Sequence, residues 1–133
     1  MKKAAADNVP PDPLTPQELE IMKVVWRLGP ATVRAVYEDL LERRRIAYTS
    51  VMTMMNVLER KGHLRKSSQD RAYVYEPTAP QKRLLSSMVG EFVDRVFNGS
   101  ASPLVQHLFE DERLTEEDLA EIRRLLKQRK AGA

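Results

Sequence analysis

The chain has 133 residues, a formal net charge of +3, two histidines and no cysteine. The absence of cysteine excludes disulfide scaffolds, thiolate metal sites and cysteine nucleophiles, and two histidines in unrelated segments do not make a metal cluster. No apolar run approaches the roughly 20 residues that cross a bilayer, and the first residues lack the apolar segment of a signal peptide. We therefore expect a cytoplasmic protein without membrane insertion.

Two helices are predicted in the first third. Residues 1–13 are polar and rich in alanine and proline, which predicts a disordered tail. Thr15-Pro16-Gln17-Glu18 is a capping box with proline at the first helical position, so the first helix begins there and ends at Gly29-Pro30. Trp26 shares the apolar stripe of this helix and is predicted to be a core residue. Thr32 caps a second helix, which Arg43-Arg44-Arg45 closes.

A third helix is predicted between Ala47 and Gly62, and its two faces differ in character. One face is an apolar stripe at helical spacing, formed by Val51, Met55 and Leu58. The opposite face carries Thr49, Met52, Thr53, Asn56 and Arg60. Short hydroxyls, an amide and methyl-bearing groups can reach base edges in a DNA groove. From this helix alone, a surface helix of mixed polarity is an equal alternative.

Alternating polarity replaces the helical period after Gly62. Residues 64–67 and 72–76 are predicted strands, and Ser68-Gln69-Asp70-Arg71 supplies the turn of a β-hairpin. Tyr73 and Tyr75 lie on one side of their strand, and we expect both to pack on the helices rather than to stack on bases. A helix-turn-helix followed by such a ribbon is typical of a winged-helix domain.

Basic residues surround the third helix. Between Arg43 and Lys66 the sequence has seven basic residues and a single acid, Glu59. A local cluster of positive charge is the electrostatic footprint of a protein that binds the phosphate backbone. A solvated face without a partner is the alternative interpretation. Together with the third helix and the hairpin, the charge favours DNA binding.

The remaining third is predicted to be helical and to need a partner. Capping patterns at Thr78-Ala79-Pro80-Gln81 and at residues 114–119 frame three amphipathic helices. Their apolar faces offer more surface than so small a unit can cover, which predicts a second copy related by two-fold symmetry. The predicted dimer interface consists of Leu85, Met88, Phe92, Val96, Leu104, Leu108, Phe109, Leu119, Ile122 and Leu126.

The assembled motifs resemble the penicillinase-repressor (BlaI/MecI/CopY) family of bacterial transcription factors. The resemblance covers Leu14 to Lys130. It is carried by residues 14–22 (LTPQELEIM) with Trp26, residues 47–53 (AYTSVMT), residues 58–62 (LERKG) and residues 71–77 (RAYVYEP). The family implies a mainly α fold with a small β-hairpin: a winged-helix DNA-binding domain over residues 14–78 and a helical dimerisation domain over residues 79–130. It also implies a homodimer that represses transcription from a palindromic double-stranded DNA operator.

The resemblance also indicates which side chains contact DNA. They are Tyr48, Thr49, Ser50, Met52, Thr53, Asn56, Arg60, Lys61, Arg65, Lys66 and Arg71. The chain departs from the family pattern at Val57, where many relatives have a basic residue, and at Thr49 and Met52, where some carry Lys or Arg. We therefore expect base discrimination to depend on thymine methyl contacts more than on charged contacts.

Two modes of regulation occur in the family. The copper-responsive members end in a cysteine-rich metal motif, which this chain lacks. In the antibiotic-responsive branch a membrane-bound sensor metalloprotease cleaves an Asn-Phe bond, and the matching position here is His107-Leu108. The changed bond leaves cleavage as a hypothesis, and we expect His107 to be a core histidine instead.

Two other classes of function are less well supported. A winged-helix protein-protein interaction module would use the apolar Met52 and Val57, but the surrounding basic residues favour DNA. An enzyme would need a set of catalytic side chains. The acids at residues 110–112 and 116–118 are not strong candidates, because they lie where solvated or helix-capping acids are common. The sequence has no phosphate-binding glycine loop, nucleophile elbow or metal-spaced histidine pair. We expect neither catalysis, nor a cofactor, nor a bound metal.

Overall fold

The computed structural model describes residues 13–132. In chain order the elements are α1 (Pro16–Leu28), α2 (Val33–Leu41), α3 (Tyr48–Arg60), β1 (Leu64–Gln69), β2 (Ala72–Pro77), α4 (Gln81–Phe97), α5 (Ser102–Glu110) and α6 (Glu116–Gly132). The mainly α fold with one small hairpin is therefore confirmed. Of the predicted tail, residues 1–12 lie outside the described residues.

The first two helices begin where the capping patterns predict. In α1 the Glu18 amide donates to Thr15 Oγ1 and the Thr15 amide donates to Glu18 Oε1, both at 3.1 Å. In α2 the Ala35 amide donates to the Thr32 hydroxyl at 3.1 Å. These bonds satisfy amide groups that have no partner within the helix. Local hydrogen bonding thus determines where both helices begin.

Helices α1, α2 and α3 and the hairpin enclose one hydrophobic core. The predicted stripe of α3 is confirmed, since Val51, Met55 and Leu58 are each 0% exposed. Each fully buried side chain of this size contributes about 1.5–3 kcal/mol. Trp26 is half-buried against this core, and its indole N–H donates to the Ala79 carbonyl at 3.0 Å. The core therefore holds α3 by its apolar side and leaves the opposite side free.

The hairpin has longer strands and a tighter turn than predicted. Ser68 pairs with Tyr73 and Gln69 with Ala72, so the strands extend by two residues into the predicted four-residue turn. The turn itself is Asp70-Arg71, with φ of 45° and 70°. Two successive positive φ values suit a two-residue turn whose twist matches the strands. The prediction of a four-residue turn was wrong because the two strands remain paired as far as Gln69 and Ala72.

The hairpin is also joined to the segment between α1 and α2. The Tyr75 amide donates to the Ala31 carbonyl at 2.8 Å, and the Ala31 amide donates to the Tyr75 carbonyl at 2.9 Å. Thr78 does not cap α4 as the sequence pattern predicted. Its hydroxyl instead donates to the Gly62 carbonyl at 2.7 Å. This long-range hydrogen bond takes the place of the predicted cap, and the hairpin is thereby attached at Tyr75 and at Thr78.

The described chain divides into two compact units, one extending to Ser87 and the other beginning at Met88. In the second unit α6 begins with the predicted cap, in which Thr115 and Asp118 exchange hydrogen bonds of 3.0 Å. Neither α5 nor α6 contains a buried residue. The ring of Phe97 lies 5.8 Å from that of Phe92. The domain limits 14–78 and 79–130 remain a prediction.

Candidate nucleic-acid interface

The side chains predicted to face DNA on α3 lie together on its outer side. Thr49, Ser50, Thr53 and Arg60 are exposed, and Met52 is 38% exposed. Residues spaced by three or four positions share one face of a helix. Hydroxyl and methyl groups on a rigid helix can make direct contacts with base edges in a major groove. The structure therefore brings most of the predicted base-reading residues onto one exposed surface.

Tyr48 begins α3 and is half-buried. Its ring meets that of Tyr37 edge to face, with centroids 5.4 Å apart. The guanidinium carbon of Arg34 lies 5.3 Å from the centroid of Tyr48. Arg34 also lies 3.6 Å from Glu38. Arg34 was not among the predicted site residues, although its position two residues after the cap of α2 could have indicated a cation near a helix start.

A groove of about 460 Å³ lies between α3 and the hairpin. It is lined by Thr32, Val33, Arg34, Tyr48, Met52, Asn56, Lys66, Arg71, Ala72, Tyr73 and Tyr75. Three of these are cations, contributed by α2, by the hairpin strand and by its turn. A concave surface with several cations raises the local concentration of anions and suits a phosphate backbone. We call this surface the wing groove.

A second hollow of about 330 Å³ lies on the other side of α3. It is lined by Gln17, Thr49, Ser50, Thr53 and Met54. Gln17 stands in the first turn of α1, next to amides that are positive ends of a helix dipole. Gln17 was not among the predicted site residues because its sequence context indicated only a capping box. Side chains that can donate hydrogen bonds therefore lie on both sides of α3.

Asn56 is not a free side chain. Its Oδ1 accepts a hydrogen bond from the Tyr75 hydroxyl at 2.9 Å and one from Lys66 Nζ at 3.4 Å. Lys66 Nζ also lies 4.6 Å from the ring centroid of Tyr73. Burial raises the pKa of Tyr75, so its phenol remains protonated at neutral pH. A network between α3 and the hairpin thus fixes the Asn56 amide.

Much of the basic cluster is neutralised by nearby acids. Arg43 pairs with Asp39, Arg44 with Glu20, Lys61 with Glu18 and Arg65 with Glu76, at 2.6, 2.7, 2.8 and 3.1 Å. Within residues 13–132, Arg45, Arg60, Lys66 and Arg71 have no carboxylate partner. The positive field around α3 is therefore weaker than the charge count of the sequence suggests.

Lys61 is one of the cations that a nearby acid neutralises. Its ammonium donates to Glu18 at 2.8 Å and to the Pro13 carbonyl at 3.1 Å. Burial raises the pKa of the Glu18 carboxyl, but hydrogen bonds from Lys61 and Thr15 and the Lys61 charge outweigh burial, so the pKa lies below its ordinary value. Hydrogen bonds from Arg27, and then from Arg43, similarly hold the pKa of Asp39 low despite its partial burial. Lys61 therefore joins the end of α3 to the start of α1, and its predicted DNA contact stays a prediction.

The two tyrosines of β2 have different environments. Tyr75 is 2% exposed and packs in the core, as predicted. Tyr73 is 58% exposed, so the prediction that it packs on the helices was wrong. Burial decreases along both strands toward the turn. Tyr73 lies two residue pairs nearer the tip, where the hairpin extends beyond the helices.

The predicted dimer-interface residues all remain partly or largely accessible. Phe92, Val96, Phe109, Ile122 and Leu126 are 41%, 49%, 53%, 38% and 56% exposed. The other five, Leu85, Met88, Leu104, Leu108 and Leu119, are half-buried. Three more exposed apolar residues, Val89, Val105 and Leu125, belong to the same helices and were not included in the predicted interface. Their helical spacing could have identified them.

The candidate cleavage position lies inside α5. His107 is exposed, so the expectation of a core histidine was wrong; its ring lies 5.7 Å from that of Phe97. The error has a simple cause, since α5 buries no residue. Among residues 13–132 no group of three or more histidine, aspartate or glutamate side chains is placed to hold a metal ion. No helix in this range is long and apolar enough to cross a membrane.

Known proteins share this pattern over most of the chain. The family model of the penicillinase repressor matches residues 14–128. The transcriptional regulator BlaI of Mycobacterium tuberculosis is 33% identical over 117 residues, which cover 86% of this chain and 83% of that protein. The penicillinase repressor of Bacillus licheniformis is 26% identical over 113 residues, covering 85% and 88%.

A solved structure is also similar in part. It is the solution structure of the Bacillus licheniformis BlaI monomeric form in complex with the blaP half-operator, with 26% identity, a TM-score of 0.48, and coverage of 54% of this chain and 88% of that chain. The family match and the identity to the mycobacterial regulator extend over both units of the present chain. The chain therefore belongs to the penicillinase repressor family, whose members are DNA-binding transcriptional repressors and not enzymes.

Proposed function

We propose that the protein represses transcription in the cytoplasm as a homodimer bound to a palindromic DNA operator. The observation that carries this proposal is the outer face of α3, where Thr49, Met52 and Thr53 are exposed between two hollows lined by polar and cationic groups. In this arrangement α3 enters the major groove while the cations of the wing groove face the phosphate backbone. A repressor of this kind acts by occluding a promoter.

The second unit supports the dimer. Its helices leave Phe92, Phe109 and Leu126 at least 41% exposed. Apolar surface of this extent on one small unit is stabilised when a second copy covers it. A two-fold dimer also presents two copies of α3, which fit half-sites about 34 Å apart on one side of the duplex. Palindromy of the operator follows from that symmetry.

Selection of bound DNA from a random pool tests the proposal. We expect an inverted repeat to be enriched, with binding that weakens steeply as salt increases because phosphate contacts release counterions. Sedimentation of the protein with the selected duplex should give two protomers per site. Enrichment of no sequence, or binding of one protomer to a single half-site at saturation, would contradict the proposed function.

Variants separate base-reading side chains from backbone-binding ones. Thr53→Ala should change the preference at one base pair by about 1–3 kcal/mol. Arg71→Ala and Arg65→Ala should instead weaken binding to operator and random DNA alike. Arg65 is the milder case because Glu76 already pairs with it at 3.1 Å. Equal losses on both DNAs for Thr53→Ala would refute the assignment of the outer face of α3.

We infer that proteolysis by a membrane-bound sensor metalloprotease releases the repressor from its operator in an antibiotic response. The candidate bond, His107-Leu108, lies in a nine-residue helix without a buried side chain. A protease binds its substrate in an extended conformation, and a short exposed helix unfolds locally at low cost. Incubation with the cognate sensor should yield two fragments, one that ends at His107 and one that begins at Leu108. An intact band, or cleavage in another segment, would contradict this assignment.

A further inference from the structure

The network around Asn56 determines which edge of its amide faces outward. An ammonium group has only donors, so the atom of Asn56 that lies 3.4 Å from Lys66 Nζ must be the carbonyl oxygen. The Tyr75 hydroxyl donates to the same oxygen at 2.9 Å. If the amide rotated by 180°, its NH2 group would face the Lys66 ammonium, and two donors would then oppose each other. The amide nitrogen is consequently directed away from Lys66 and Tyr75.

The Asn56 amide nitrogen remains available to a partner outside the protein. Within residues 13–132 it donates no hydrogen bond, and every buried side-chain nitrogen or oxygen in that range has a partner. The nitrogen therefore reaches solvent. Asn56 lines the wing groove beside the exposed Met52, on the face of α3 that also carries Thr49 and Thr53. Its two N–H groups are thus placed where DNA binds if the proposed function is correct.

Both partners of the Asn56 oxygen are held in place. The Tyr75 side chain is 2% exposed, and its backbone exchanges two hydrogen bonds with Ala31. Lys66 faces Tyr75 in the strand register, and its ammonium lies over the rings of Tyr73 and Tyr75 at 4.6 and 5.8 Å. A cation over an aromatic ring is attracted to it. The hairpin therefore maintains the amide orientation before DNA arrives.

Asparagine commonly recognises adenine through two hydrogen bonds, donating to N7 and accepting from the N6 amino group. An asparagine whose oxygen is already occupied cannot make the second bond. Guanine presents two adjacent acceptors, N7 and O6, whereas cytosine presents a donor. On the basis of the proposed function, we propose that Asn56 acts as a donor-only reader that selects guanine over adenine at one operator position. Tyr75 and Lys66 are its positioning residues.

Three variants test this inference by selection from a random DNA pool. Asn56→Ala should lose the preference at one base pair of each half-site, which identifies the pair that Asn56 reads. In the wild-type protein this pair should be G·C, favoured over A·T by roughly 5- to 100-fold. The double variant Tyr75→Phe with Lys66→Met keeps both side-chain volumes but frees the Asn56 oxygen. It should accept adenine at that pair, so the G·C preference should fall at least about fivefold.

Tyr73→Phe is the matched control, because it removes a hydroxyl from the neighbouring tyrosine that does not bond Asn56. This variant should retain the G·C preference. If the change at the buried Tyr75 impairs folding, Lys66→Met alone provides the test. It should reduce the G·C preference partially and lower the affinity for all sequences. An A·T pair in the wild-type selection, an Asn56→Ala motif identical to wild type, or an unchanged preference in the folded double variant would overturn the inference while leaving the repressor function intact. Enrichment of no sequence by the wild-type protein would overturn both.

Discussion

The two units of the chain differ in how far they bury their apolar side chains. In the first unit, residues from α1, α2, α3 and the hairpin bury one continuous cluster, in which Ile21, Val36 and Leu58 are 0% exposed. In the second unit α5 and α6 bury none, and Phe109 and Leu126 are 53% and 56% exposed. A core closed within one chain has a stability independent of concentration, whereas a surface closed by a partner does not. The proposed dimer would therefore stabilise the second unit in a way that the first unit does not require.

The largest expected effect is on the surface that lacks a partner within one chain. Phe109→Glu places a charge in the proposed dimer interface and removes a large apolar group twice per dimer. Burial of one such side chain contributes about 1.5–3 kcal/mol, so the dimer should weaken at least about a hundredfold. Sedimentation equilibrium measures the dissociation constant. Gln106→Glu adds the same charge on the same helix and is the control; equal weakening by both variants would remove the distinction between the units.

The next effect concerns the closed core. Leu58→Ala should reduce the free energy of unfolding by about 2–5 kcal/mol because a fully buried side chain leaves a cavity. Thermal unfolding at several protein concentrations measures it. The loss should be the same at each concentration. Leu125→Ala, in a side chain that is 49% exposed, should have an effect that grows with concentration. A concentration-dependent loss for Leu58→Ala would contradict a core closed within one chain.

An intermediate effect should come from the ion pair between α1 and α3. Lys61→Met leaves the Glu18 carboxylate, whose side chain is 8% exposed, without its cation. We expect a loss of about 1–3 kcal/mol at pH 7.

The stabilisation from the Glu18–Lys61 ion pair should depend on pH. Because the folded-state pKa of Glu18 is lowered, its stabilisation is present above the unfolded pKa of about 4.3 and is lost as pH falls through the folded pKa. The difference in unfolding free energy between Lys61→Met and wild type should therefore shrink between pH 5 and pH 3, a window that contains the unfolded pKa of about 4.3. Denaturant unfolding across this window measures it. Glu121→Gln breaks an exposed pair in α6 and should cause no measurable change. A difference that persists at low pH would exclude the Glu18 charge as its cause.

The smallest expected effect is on the salt dependence of DNA binding. It should differ between an arginine near α3 without a carboxylate partner and one with such a partner. Arg60 has no carboxylate partner within residues 13–132, while Arg44 bonds Glu20 at 2.7 Å. Arg60→Ala should reduce the slope of log affinity against log salt by about 0.9, the contribution of one phosphate. Arg44→Ala should leave the slope unchanged. Titrations of operator DNA at four salt concentrations distinguish the two outcomes, and an equal change for both would show that the ion pair opens on DNA.

Local features of the fold were predictable because they depend on neighbours within one or two helical turns. The cap at Thr15 and the stripe that contains Leu58 follow from spacing alone. The partners of Asn56 were not predictable, since Tyr75 is 19 positions further along the chain. The same reason explains why the bond from Lys61 to Glu18, 43 positions earlier, was not predicted. Charge counts along a sequence do not include acids supplied by other elements.

The sequence alone determined the family, the order of elements, the apolar side of α3 and the excess of apolar surface near the carboxyl end. Periodicity and capping are short-range, and they were sufficient for these features. Only the tertiary structure decided which basic side chains remain free, that Tyr73 is exposed while Tyr75 is buried, and which edge of the Asn56 amide faces outward. Hydrogen bonds and ion pairs between distant segments form only when packing brings their partners within about 3 Å. The chemical character of the DNA-reading surface therefore depends on the fold as well as on the residues of α3.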